Sequence, residues 1–131
     1  MNCIHCEVCM RKLINKYRSE GKYSVLRIES TRYEPVEVVF DTQFISTIQL
    51  FSWCFEQSKG LIFCFDFKNG WPEKLGCRTN KFYLAKLITY LHTGDNTAQW
   101  HRKNIFDYRI ENNGIFEIQN KLNLTKETDQ V

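Results

Sequence analysis

No stretch of this chain approaches the roughly 18 consecutive apolar residues that a membrane-spanning helix requires, so no span is predicted. A secretory leader is not expected either. Residues 1–9 hold thiols and His5 where a leader needs a basic start and an apolar run. The six Cys are therefore expected to be free thiols or metal ligands in a cytoplasmic protein, not disulfides. Charge of one sign is also scarce: 18 Lys and Arg face 15 Asp and Glu, for a formal net charge of +3. That balance permits contact with nucleic acid without demonstrating it, because a strong footprint would show as a basic stripe. No internal repeat and no low-complexity linker divides the chain. Its 131 residues suffice for one domain with a modest core.

What is present fits a folded domain. Hydrophobic residues make up 43% and charged residues 25%, ordinary values for a globular protein. Aromatics reach 15%, with ten Phe, and they crowd the middle third, which argues for buried β structure there.

The pattern predicts elements in order. Met10, Leu13, Ile14 and Tyr17 fall at i, i+3, i+4 and i+7, which predicts an N-terminal helix over 6–20 stopped by Gly21. Its other face would carry Arg11, Lys12, Lys16 and Arg18, a solvated face before it is a phosphate-contacting one. Strands are expected over 23–28 and 36–40, with a polar break at 30–35. Asp41 or Thr42 would cap a short helix that turns Phe44, Ile45 and Ile48 to one side. Strands over 52–56 and 61–67 flank Gln57-Ser58-Lys59-Gly60, a hairpin-like connection. A loop over 68–80 leads to a helix over 81–92 with the stripe Leu84, Leu87, Ile88 and Leu91, ended by Gly94. A short strand over 98–102, a turn over 103–107, a helical turn from 110 and a weak helix over 119–125 complete the chain. The fold class is α+β: a small mixed domain of short antiparallel strands over 23–125, a Cys-containing helical appendage over 1–22 and a flexible tail over 126–131.

Cys3, Cys6 and Cys9 form a Cys-x-x-Cys-x-x-Cys run, which resembles half of a zinc site. A full site needs four ligands, and no second pair at that spacing follows. Cys54, Cys64 or Cys77 would complete it only by tertiary approach. The alternative, favoured here, makes Cys6 and Cys9 small buried apolar residues of the first helix.

The most informative stretch is Trp100-His101-Arg102-Lys103-Asn104-Ile105-Phe106-Asp107-Tyr108-Arg109-Ile110-Glu111-Asn112. Upstream stand Trp53-Cys54-Phe55-Glu56, Gly60-Leu61-Ile62-Phe63 and Tyr83-Leu84-Ala85-Lys86-Leu87-Ile88. In order and spacing these resemble phage-type HNH endonucleases over residues 36–124. The resemblance implies a ββα-like motif near the C-terminus, a divalent metal such as Mg²⁺, and His101 as a general base with Asn112 as a metal ligand. It also implies decay. Trp100 stands where the acidic ligand belongs, Tyr108 where the middle Asn belongs, Ala85 where the helix carries His, and the turn is one residue short. Mg²⁺ wants oxygen ligands and usually one or two carboxylates, so Asn112 alone makes a poor site. Asp95 or Asp107 would have to rescue it.

Three functions follow from the resemblance. The first is a DNA-binding protein descended from a phage HNH endonuclease and lacking nuclease activity. It would contact double-stranded DNA in a bacterial host cell through Arg102, Lys103, Asn104 and Arg109. The second is a phage factor that binds and inhibits a host protein, with Trp71, Trp100 and Tyr108 as interface anchors. The third is an active metal-dependent endonuclease with shifted ligands. The first two expect no cofactor, though the cysteine run leaves zinc open.

Overall fold

The computed structural model describes residues 13–116. They form a mixed α+β domain of short antiparallel sheets and few helices. The first sheet has the order β1-β2-β3, from Ile14–Glu20, Tyr23–Ser30 and Tyr33–Asp41. Leu26, Ile28, Val36, Val38 and Phe40 alternate along β2 and β3 and are buried. The opposite face is a lattice of ion pairs: Lys16 to Glu29 at 3.3 Å, Arg18 to Glu37 at 3.2 Å and Arg27 to Glu37 at 3.1 Å. Such exposed pairs contribute little stability each.

The N-terminal helix is a correction. Residues 14–20 are a strand paired along its whole length with β2, from Ile14 opposite Glu29 to Glu20 opposite Tyr23. Gly21, at φ 67°, turns a hairpin instead of stopping a helix. Lys16 and Arg18 therefore lie on a sheet and in ion pairs, not on a helical phosphate face. The expected boundary at 22/23 falls inside this hairpin. The polar break at 30–35 shrinks to a tight turn, since Ser30 already pairs with Tyr33.

A 3-10 turn, Thr42–Phe44, runs into the short helix α1, Ile45–Ile48, which buries Phe44 and Ile48 as expected. Asp41 makes no side-chain cap there. The second sheet has the order β4-β5-β6, from Cys54–Glu56, Leu61–Phe65 and Lys81–Tyr83. The expected loop over 68–80 contains a turn of helix, α2, Trp71–Lys74. The helix expected over 81–92 begins later. Residues 81–83 are extended and pair with β5, and α3 spans Leu84–Thr93. Leu84, Leu87 and Ile88 face the core, and Gly94 closes the helix at φ 74°. No helix among the described residues is long and apolar enough to cross a membrane.

The two sheets and α3 share one core. Trp53 is its largest member, fully buried, with its indole N–H donating to the Ile48 carbonyl at 2.8 Å. Phe51, Trp53 and Phe82 meet edge to face, Phe51 and Phe82 at 5.2 Å, a favoured arrangement of aromatic quadrupoles. Strand β7, Gln99–His101, pairs with β8, Gly114–Phe116, and these two carry the motif loop between them.

Candidate functional site

The loop over 102–113 leaves β7 at His101 and returns at Gly114, its direct partner. It does not hang free. The Val39 N–H donates to the Phe106 carbonyl at 3.0 Å, and the Tyr108 N–H donates to the Val39 carbonyl at 2.7 Å. The loop thus covers the exposed edge of β3, where unpaired backbone groups would otherwise face solvent.

Asp107 organises the interior of the loop. Its Oδ1 accepts the backbone N–H and the Nε–H of Arg109, each at 3.0 Å. Its Oδ2 accepts Arg109 Nη2 at 2.8 Å and Asn112 Nδ2 at 2.7 Å. The Arg109 guanidinium, first among the causes, holds the Asp107 carboxyl down to about 2. The same pair pushes the Arg109 group further up. Asn113 adds a second tier, donating from Nδ2 to the carbonyls of Asp107 and Arg109 at 2.8 Å each and accepting the Lys103 N–H at 3.2 Å. On the far side the Ile110 N–H donates to Asp41 Oδ2 at 2.9 Å, and the Arg109 guanidinium lies 4.8 Å from the Tyr23 ring.

This geometry revises several roles expected from sequence. Arg109 is folded onto Asp107 and Tyr23, with its Nε and Nη2 donating to the Asp107 carboxylate. Arg102 is exposed, but its Nη1 donates to the Gly60 carbonyl at 2.7 Å and fixes the β4–β5 turn to the loop. Asn104 accepts the Phe106 N–H at 3.0 Å through Oδ1 and shapes the turn. Lys103 is exposed, and its ammonium has no partner among the described residues. His101 is exposed at the end of β7.

The aromatic residues proposed as exposed anchors are also corrected. Tyr108 is only 1% exposed, and Trp100 is half-buried and stacked on it at 5.6 Å with planes 21° apart. Burial pushes the Tyr108 phenol up. The Trp100 indole nitrogen finds no hydrogen-bond partner among the described residues. Trp71 is half-buried, packed edge-on against Phe51 and Tyr90, with the Lys74 ammonium 4.5 Å from its ring. Tyr108 belongs to the core, and Trp71 and Trp100 are partly buried at its margin.

The residues do not fit a divalent metal. The Trp100 side chain offers no oxygen, both Asp107 oxygens are engaged, and Asn112, whose amide nitrogen donates to Asp107, adds only one neutral oxygen. Asp95 is turned away, accepting the N–H and hydroxyl of Thr97 at 2.8 and 2.6 Å. Among the described residues no three His, Cys, Asp or Glu side chains gather into a ligand set. Cys54, Cys64 and Cys77 are free thiols, each pushed up by burial. Cys3, Cys6 and Cys9, and the final helix and tail, lie outside the described residues.

Sequence reasoning missed Lys59 and Gly60. Arg102 reaches both of their carbonyls, which brings the exposed Lys59 alongside the loop. A Cβ on Gly60 would fall 2.2 Å from Ile105 Cδ1. The readable signal was Gly60 itself, which adopts φ 65°. No known protein family, curated protein or solved structure matches the chain.

Proposed function

We infer that this protein is a DNA-binding protein built on an HNH-like scaffold of phage origin that has lost its nuclease chemistry. The observation that carries the reading is the closed network around Asp107. It turns the Asp107 carboxylate inward, onto Arg109 and Asn112, while the motif's other carboxylate, Glu111, accepts the Tyr23 hydroxyl, and it leaves Lys103 exposed at the outside of the loop. A loop with that division of labour holds its shape without a metal and presents positive charge to a phosphate backbone. Lys59 and the outer edge of Arg102 extend the same surface.

The contact is expected to be sequence-tolerant, because backbone phosphates carry no sequence information directly. Fluorescence anisotropy with a labelled duplex, titrated across salt concentrations, tests it. Affinity should fall steeply with salt, and Lys59→Ala with Lys103→Ala should lower the salt slope by about one unit per lost contact. A salt-independent affinity, or a slope unmoved by the double variant, would rule out this surface.

A further inference from the structure

The outer face of β5 carries an aromatic surface that the motif loop does not use. Phe63, Phe65 and the following Phe67 alternate along the chain and touch in series. Phe63 meets Phe65 edge to face at 5.7 Å, and Phe65 and Phe67 lie 6.1 Å apart with ring planes only 10° from parallel. Tyr83 on β6 extends the surface beside Phe63 at 6.3 Å. Phe65 is 52% exposed and Phe67 73% exposed, too open for either ring to serve the core.

The turn that presents Phe67 is rigidly built. Asp66 is 6% exposed, and its carboxylate accepts the N–H groups of Lys68 at 3.2 Å, Asn69 at 3.1 Å and Trp71 at 3.0 Å. Its own N–H donates to the Asn80 carbonyl at 2.9 Å. Burial works to raise the Asp66 carboxyl, yet the three donors outweigh it and hold it below the usual range. The ring is therefore held out by a satisfied turn and is not a frayed loop end.

The charges around this surface define its occupant. Of the nearby carboxylates, Asp66 is spent on backbone and Glu56 on Lys81 at 3.4 Å and the Tyr83 hydroxyl at 2.9 Å, while Glu73 stands exposed across a shallow pocket from Phe67 and Lys68. The Lys81 ammonium sits 4.4 Å from the Phe63 ring. Lys59 and Lys68 stand exposed at the two ends of the strand. Flat apolar rings bordered by the exposed side chains of Lys59 and Lys68 complement a polyanion with exposed flat bases. We propose that the Phe63-Phe65-Phe67 face is a stacking platform for unpaired bases of single-stranded DNA, with Lys59 and Lys68 on the flanking phosphates. Duplex DNA cannot use it, because its bases are stacked on one another. Contacts to base faces and phosphates need no 2′-hydroxyl, and the thymine methyl adds apolar area that uracil lacks. The three rings take no part in the duplex contact at the motif loop; Lys59 lies between the two surfaces and is shared by both, so the ring variants test the platform on its own.

The test is fluorescence anisotropy with a labelled thymidine homopolymer of about 12 nucleotides, a length within the span of such platforms. Phe65→Ala and Phe67→Ala should each weaken binding roughly fivefold or more, as expected for one lost stacked base. Phe67→Trp should retain or tighten it. Because both side chains are largely exposed, melting temperatures of the variants should stay near that of the parent protein. Duplex affinity should be unchanged by either alanine, whereas Lys103→Ala should affect the duplex and spare the single strand. No binding of the homopolymer by the parent protein would overturn the proposal. So would alanine variants that bind as the parent does, tighter binding of the matching uridine polymer, or a reversible loss of the platform into self-association or peptide capture.

Discussion

Asn15 does for Trp53 what a neighbouring strand would do. Its Nδ2 donates to the Trp53 carbonyl at 3.0 Å, and its Oδ1 accepts the Trp53 N–H at 2.6 Å. Both backbone groups belong to a fully buried residue that lies just before β4 begins. Removing the amide leaves a donor and an acceptor without partners, and each orphaned group costs about 1–3 kcal/mol. Asn15→Ala should therefore destabilise the protein by roughly 2–3 kcal/mol in urea unfolding. A change under about 0.5 kcal/mol, the ordinary range for a surface substitution, would mean the bracket is incidental. Gly60 makes a second residue-scale case. It occupies φ 65°, and the space a Cβ would take is filled by the tip of Ile105. Gly60→Ala should cost about 1–2 kcal/mol from the left-handed backbone alone, plus the displacement of Ile105. Measured by thermal unfolding, Ile105→Ala should recover only the second part. Full recovery would show that the backbone conformation carries no cost.

At the scale of elements, a single dense apolar signal was readable and a divided one was not. The stripe of α3 and the aromatic strands β4 and β5 announced themselves because apolar residues dominate their core faces. Strand β1 did not. Its inward face is Asn15, Tyr17 and Ser19, two of them polar, so no apolar alternation marks it, while Met10, Leu13, Ile14 and Tyr17 fall by coincidence on a helical stripe. Asn15 is satisfied by Trp53 and Ser19 by Ser24 at 2.8 Å, partners that no local window contains. Residues 81–83 were drawn into the following helix for a similar reason: only their pairing with β5 separates them from it. In the motif loop the residue types were legible but their directions were not. Nothing in the order Asp107, Arg109, Asn112 says that all three point at one another. That closure has a pH signature. The Asp107 carboxyl is held at about 2, against about 3.9 for an unfolded aspartate. A depressed carboxylate stabilises the folded state fully above its unfolded value, and the contribution is lost as pH falls through the folded value. Stability should thus decline between about pH 4 and pH 2, and Asp107→Asn should flatten the Asp107 part of that decline. An identical acid profile in the two proteins would remove Asp107 from its central place in the loop.

The whole molecule divides its work between surfaces. The ion-pair lattice of the first sheet keeps that face solvated, the shared core ties both sheets to α3, and the motif loop closes the edge of β3 while showing Lys103 outward. The mixed α+β class and the core strands were visible in the chain. The loss of Trp71, Trp100 and Tyr108 as exposed anchors was not, because burial of an aromatic depends on what the rest of the chain lays over it. The central claim is that the loop binds a DNA backbone and no longer cuts it. One experiment reads both halves: supercoiled plasmid incubated with the protein and Mg²⁺, then run on a gel before and after the protein is stripped with detergent. The account predicts retarded DNA before stripping and intact supercoiled plasmid after it. Nicked or linear plasmid after stripping, abolished by His101→Ala, would contradict it.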